Sequence, residues 1–164
     1  MCYNELGDSM HSKKLICDIL EYIDNNINKE ITIDELSYIF FFDKYYIMKL
    51  FKKELKITIV NYINSMRVYN SLKEYKYDNQ IMRIALNNGF NSLEYYSETF
   101  KQITKVSPRE YKYFVNRNSN ISLDKIITIR IALSNLQYLK DQTTKYKQNR
   151  QPDKHKVKSL SIFK

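Results

Sequence analysis

The side chains best placed to do chemistry in this chain are hydrogen-bond donors and cations on short helices. Asp43 can cap a helix in which Ile47, Leu50 and Phe51 point inward, leaving Tyr45, Met48, Lys49 and Lys52 on the opposite face. A second group runs Gly89-Phe90-Asn91-Ser92-Leu93-Glu94-Tyr95-Tyr96-Ser97-Glu98-Thr99-Phe100-Lys101, followed by Val106-Ser107-Pro108-Arg109-Glu110-Tyr111. Gly89 can take the positive φ that ends one helix, and Ser92 is placed to cap the next. Pro108 fits a first helical turn directly after Ser107 as cap. A helix, a short glycine turn and a second amphipathic helix make a helix-turn-helix candidate, whose chemistry is non-covalent recognition.

Covalent chemistry finds no support. No nucleophile is paired with a histidine base, and there is no glycine loop to cradle phosphates. His11 and His155 lie in polar terminal stretches, and Cys2 and Cys17 have no zinc-ligand spacing or disulfide framework. No enzyme, metal or cofactor is therefore expected. The start lacks a basic region followed by an apolar run, and no stretch approaches a membrane span, so a cytoplasmic protein is expected. A net charge of +9 favours an anionic partner, nucleic acid ahead of membrane. Residues 140–164 hold eight Lys/Arg against two Asp, a net of +6, which leaves only +3 for residues 1–139. The case for a nucleic-acid partner must therefore come from local arrangement.

The elements that would position these groups are helical, because two glycines and two prolines leave little material for hairpins. Residues 1–11 are expected to be flexible. Leu15, Ile16, Ile19, Leu20 and Ile23 recur at helical spacing, and that helix should end near Asn25-Asn26. A second helix begins near Ile33 with Leu36, Ile39 and Phe40 inward, and Phe41-Phe42-Asp43 breaks it before the third. A long helix over about 59–75 buries Tyr62, Ile63, Met66 and Leu72 and joins two small units. The second unit repeats the first: a helix over 79–87 with Ile81, Ile84 and Ala85 inward, the glycine turn, then a helix burying Tyr96, Phe100 and Ile103. Tyr111 and Phe114 anchor the helix after Ser107. Phe51-Lys52-Lys53 answers Phe100-Lys101-Gln102, a repeat of architecture more than of identity.

Residues 116–120 look like a linker. Beyond it, Ile127, Ile129, Ile131 and Leu133 alternate as in a strand, while Ile126, Ile129, Leu133 and Leu136 fit a helix equally well. Residues 141–164 are polar and basic and are expected to be disordered.

From about residue 12 to 114 the chain resembles the DNA-binding domain of the AraC/XylS family of bacterial transcription regulators. The resemblance rests on Ile31-Thr32-Ile33-Asp34-Glu35-Leu36, Leu50-Phe51-Lys52-Lys53-Glu54 and Arg67 in the first half. In the second it rests on Ile84-Ala85, Gly89-Phe90-Asn91, Tyr95-Tyr96-Ser97, Phe100-Lys101 and Ser107-Pro108-Arg109-Glu110-Tyr111. It implies an all-α fold of two helix-turn-helix subdomains, homeodomain-like three-helix units joined by a long linker helix. The implied organisation is 1–11 flexible, 12–117 the DNA-binding domain, and 118–164 a basic, partly disordered extension. Within the domain, the first helix-turn-helix covers about 33–55, the linker about 59–75 and the second about 79–104.

The implied function is sequence-specific binding of promoter DNA as an activator, the two recognition helices entering successive major-groove segments of the double-stranded DNA. The implied base-facing residues are Tyr45, Met48 and Lys49, then Leu93, Glu94, Ser97 and Glu98. Lys44, Lys52, Lys53, Lys101 and Arg109, with backbone amides at helix starts, would hold phosphates. RNA polymerase is the implied protein partner. About a dozen residues precede the domain, which resembles the short single-domain members that act as monomers.

Three positions depart from the family. Lys49 stands where arginine is frequent and lacks its planar fork. Glu98 also stands where arginine is common, and Glu94 beside it adds a second carboxylate facing a polyanion. Lys105 replaces the glycine usual after that helix. The expectation is asymmetric: the first unit reads bases and the second mainly positions. The rival readings are a protein-interaction module using the acidic second unit, and a truncated sensor-regulator whose lost effector domain began at 121–139.

Overall fold

The computed structural model describes residues 4–78, 80–116 and 122–149, and among them every regular element is an α-helix. In chain order these are α1 (Asn4–Asn26), α2 (Ile33–Phe40), α3 (Lys44–Leu55), α4 (Ile59–Glu74), α5 (Ile81–Asn87), α6 (Leu93–Thr104), α7 (Pro108–Val115) and α8 (Leu123–Gln148). None of them is long and apolar enough to cross a membrane.

Local chemistry sets most boundaries. Thr32 and Glu35 form a reciprocal capping box at the start of α2, and Ser107 and Glu110 form another at α7 with Pro108 in its first turn. Asp43 accepts the amides of Tyr45 at 2.8 Å and Tyr46 at 3.2 Å, and Ser92 accepts that of Tyr95 at 3.1 Å. α3 and α6 both end on a lysine in the left-handed region, Lys56 at φ 60° and Lys105 at φ 67°. Each donates its amide back to the carbonyl four residues earlier, Lys52 and Lys101. The cap of α6 thus forms without the glycine usual at that place, at a conformational cost of about 1 kcal/mol.

Two cores result. The first gathers Leu15, Ile16, Ile19, Leu20 and Ile23 of α1 with Leu36, Ile47, Leu50, Phe51, Tyr62, Ile63 and Met66. The second is rich in rings: Tyr75, Phe90, Tyr96, Phe100 and Tyr111, with centroids 4.9–5.8 Å apart along the chain of contacts. Its buried hydroxyls satisfy one another. Tyr75 donates to Tyr96 at 2.9 Å, Tyr96 to Ser71 at 3.0 Å, and Ser71 to the Val68 carbonyl at 2.7 Å. Burial pushes the Tyr96 phenol up to about 12, so this relay stays protonated.

α4 contributes to both cores, and one of its residues binds the units together. Arg67, 9% exposed, donates Nε to the Ile27 carbonyl at 2.9 Å and Nη2 to the Lys29 carbonyl, both in the loop between α1 and α2. Its guanidinium also lies over the Phe90 ring at 5.8 Å. Gly89, at φ 79°, sits against the same loop: a Cβ there would meet the Ile27 carbonyl oxygen at 2.9 Å. The glycine turn of the second unit therefore serves two ends, a left-handed backbone and close approach to the first unit.

α8 corrects two expectations. Its start was open between strand and helix; it is helical, with Ile129, Ala132 and Leu136 buried and Ile127 and Ile131 outward. Residues 141–148, expected to be disordered, continue the helix because tertiary partners hold them. Thr143 accepts from the Tyr62 hydroxyl at 3.5 Å, Tyr146 donates to Glu54 at 3.0 Å, and Lys147 and Lys140 both pair with Asp24 of α1. Polar composition misled here, since the contacts are long-range and leave no local period. The N-terminal expectation changes too, because α1 already begins at Asn4: once residues 15–23 are packed, extending a helix costs little. Of the linker expected at 116–120, Asn116 caps the end of α7, while residues 117–120 and the tail at 150–164 lie outside the described residues.

Two groups of outcomes are expected, the first at the joint between the units. Gly89→Ala lowers stability by roughly 2–3 kcal/mol in urea unfolding through forced φ and backbone clash. Arg67→Lys recovers little of the Arg67→Ala loss, because an ammonium cannot fork to both carbonyls. Secondly, Lys125 and the Ser107 amide and hydroxyl hold the Glu110 carboxyl at about 2, below its ordinary 4.5. A depressed carboxylate contributes stability above about 4.5 that is lost as pH falls toward 2. Glu110→Gln should therefore lose less urea resistance than the parent between pH 5 and pH 2.5, two values that roughly bracket this window.

Candidate nucleic-acid interface

The open face of α3 is built by Asp43 at its start and by Ile47, Leu50 and Phe51, whose burial turns the other side outward. Tyr45 is 68% exposed and Met48 39%, and Lys49, Lys52 and Lys53 are exposed beside them. These residues recur at i, i+3, i+4, i+7 and i+8, one stripe of a helix. Lys44 is differently placed: its ammonium pairs with Asp34 at 3.3 Å and lies 5.9 Å from the Tyr45 ring centroid. Phe42 and Tyr46 stack at 5.5 Å beside the start of the helix. Phe41, 90% exposed, closes α2 in the left-handed region at φ 58°.

The corresponding face of α6 has another character. Glu94 and Glu98 are exposed, with Lys101 one turn on. Leu93 is half-buried and packs against the second core, and Ser97 is half-buried. Tyr95 shares the open side instead, 46% exposed, its hydroxyl accepting from Asn64 of α4 at 2.8 Å. Tyr95 stood in the sequence as one of the matched positions, and its bond to Asn64, thirty-one residues away, left no local signal. Arg109 is exposed in the first turn of α7.

Charge separates the two faces. α3 presents three exposed lysines and no carboxylate on its stripe, whereas α6 presents two carboxylates against one lysine. The helix starts are also less open to phosphate than expected. Asp43 already occupies the Tyr45 and Tyr46 amides of α3, Glu94 lies in the first turn of α6, and Glu110 in that of α7. A carboxylate there satisfies the helix dipole that a phosphate would otherwise use.

Comparison with known proteins bears on the family and the fold. The pattern of a helix-turn-helix domain family matches residues 36–113. The Transposon Tn10 TetD protein of Escherichia coli is 29% identical over 109 residues, 66% of this chain and 79% of that one. The regulatory protein PocR of Salmonella typhimurium is 29% identical over 115 residues, 70% of this chain and 38% of that one. The HTH-type transcriptional regulator YbfP of Bacillus subtilis is 27% identical over 66% of this chain and 37% of its own length. This chain thus spans less than two-fifths of PocR and YbfP. Among solved structures, the C-terminal domain of AraT, a response regulator from Geobacillus stearothermophilus, aligns with a TM-score of 0.58 at 22% identity, covering 66% of this chain and 88% of that one. An AraC-type regulator from Chromobacterium violaceum aligns at 0.57 and 20% identity, covering 65% and 96%. These two likenesses bear on the fold.

Proposed function

We propose that the chain is a transcriptional regulator with an AraC-type helix-turn-helix DNA-binding domain, whose two units bind promoter DNA unequally. α3 reads bases, and α6 with α7 mainly sets position. The observation that carries this reading is the contrast between the stripes: Tyr45, Met48, Lys49 and Lys52 on one, Glu94 and Glu98 on the other.

Tyr45, Met48 and Lys49 are the base-facing set of α3, with Lys49 donating to guanine acceptors in the major groove. Lys52 and Lys53 hold phosphates there, and Lys44 does so only by giving up Asp34. On the second unit Lys101 and Arg109 hold phosphates. Glu94, Ser97 and Glu98 line the base side of α6, where a carboxylate is accommodated only opposite a cytosine amino group. Leu93, packed on the core, reaches a thymine methyl at most. The regulator binds as a monomer, since two reading units lie in one chain, and activates through contact with RNA polymerase, as the family resemblance implies. A second reading draws on the same acidic face: Glu94, Tyr95 and Glu98 together form a surface suited to a basic protein partner, with α3 alone on DNA.

Selection from random duplexes at physiological salt tests this. One short motif is expected to dominate, with weak enrichment about one helical turn away. Lys49→Ala should cost about 1–3 kcal/mol on the selected site and relax preference at one position. Lys52→Ala should weaken all duplexes alike and reduce the salt slope by about 1. Equal effects of Lys49→Ala on every duplex would overturn the assignment. Glu98→Gln should tighten binding to every duplex; unchanged affinity would favour the protein-partner reading of α6.

A further inference from the structure

Where α8 crosses the end of α4 it leaves a cleft of about 880 Å³ that the DNA-binding reading does not use. That volume falls in the range of small-molecule sites, roughly 300–1,000 Å³. Its least exposed lining residues, Leu72 at 9% and Tyr111 at 6%, belong to the second core and form its floor. Tyr77 and Tyr138, exposed at 90% and 65%, stand at its mouth. Bare tyrosine rings above an apolar floor offer flat surfaces for an aromatic body to stack on.

The polar groups of the cleft differ in what they leave unmet. On the α8 side, Gln137 accepts from the Tyr69 hydroxyl of α4 at 2.6 Å and donates to Asp141 at 2.8 Å, so these groups are bonded to one another and Asp141 is the one carboxylate among the lining residues. On the α4 side, Lys73 and Lys76 are exposed and neither pairs with a carboxylate among the described residues. Lys73 lies over the Tyr69 ring at 5.4 Å, at the edge of the cleft. Each ammonium carries three donors and accepts none, so the unmet capacity is cationic. The chain's own segment 150–164 is a poor occupant, with five Lys/Arg against one Asp.

We propose that the cleft between α4 and α8 is a binding site for a planar aromatic monoanion, its ring system between the tyrosines and its carboxylate or sulfonate at Lys73 and Lys76. Such a ligand bridges the linker helix and the helix that spans both units.

The test uses the full chain and two fluorescent probes of one shape, 1-anilinonaphthalene-8-sulfonate and the uncharged N-phenyl-1-naphthylamine. The sulfonate should saturate at one molecule per chain. The double variant Lys73→Glu/Lys76→Glu, at exposed positions, should weaken it by about tenfold or more while the neutral probe changes little. Ser134→Trp, also at an exposed position lining the cleft, should block both probes. Unchanged sulfonate affinity in the double variant, non-saturable binding, or full binding to Ser134→Trp would overturn the proposal. None of these readouts requires DNA, so their failure is separate from failure of the promoter-binding reading.

Discussion

The structure turns on one cation. Arg67 leaves the middle of α4 and donates to two backbone carbonyls of the α1–α2 loop, under the ring of Phe90. Burial pulls its pKa down, an effect that Tyr95 and Glu30 oppose. A short loop between helices exposes carbonyls that no helix can satisfy, and a guanidinium with its fixed fork answers two of them together. Because Gly89 and Phe90 form the turn between α5 and α6, the same side chain helps set where α6 starts. Glycine at 89 is then a consequence: the loop that Arg67 holds lies too close for any Cβ.

α8 reinforces this joint from the other side. It gives Ile129 and Leu136 to the second core, while its Leu139 and Tyr146 pack on the first. Its polar bonds run to α1, α3, α4 and α7 through Asp24, Glu54, Tyr69 and Glu110. Exposed ion pairs such as Lys125–Glu110 contribute little singly. Their value lies in register, since each fixes α8 along its axis while the apolar residues fix its depth. Two small cores share a linker helix and a strut, and the proposed engagement of successive major-groove segments requires a fixed angle between α3 and α6.

Much of this was legible in the chain because it is local. Asp43, Ser92, Ser107 and Gly89 announce helix ends, and Ile47, Leu50, Phe51, Tyr96 and Phe100 announce which side faces the core. The open stripe of α3 follows by subtraction. What escaped notice is non-local. The helix over 141–148 depends on Asp24 and Glu54, far away in sequence, and its composition alone suggests a solvated run. The same holds for Tyr95, whose exposed ring is steadied by Asn64, and for Leu93, which the second core draws partly inward. Lys105 shows the opposite limit: a missing glycine does not abolish a left-handed cap, because the backbone bond to Lys101 offsets part of the conformational cost.

Repetition of the fold does not require repetition of its use. α3 and α6 match in length, in N-cap placement, in the buried rings Phe51 and Phe100, and in their left-handed lysine ends. All those features serve packing, and packing dictates only the inward half of each helix. The outward halves are free to diverge, and they have done so in the property a polyanion senses first. With carboxylates seated at the starts of α3, α6 and α7, none of these three helix starts attracts phosphate without competition. On the proposed reading affinity follows the lysines, and the stripe of α3 carries three where that of α6 carries one. On the proposed reading, a unit held rigidly beside a stronger one need not bind well itself, because the joint at Arg67 would bring it to the groove at a high effective concentration. Rigidity and weak charge on the second unit are therefore compatible parts of one arrangement.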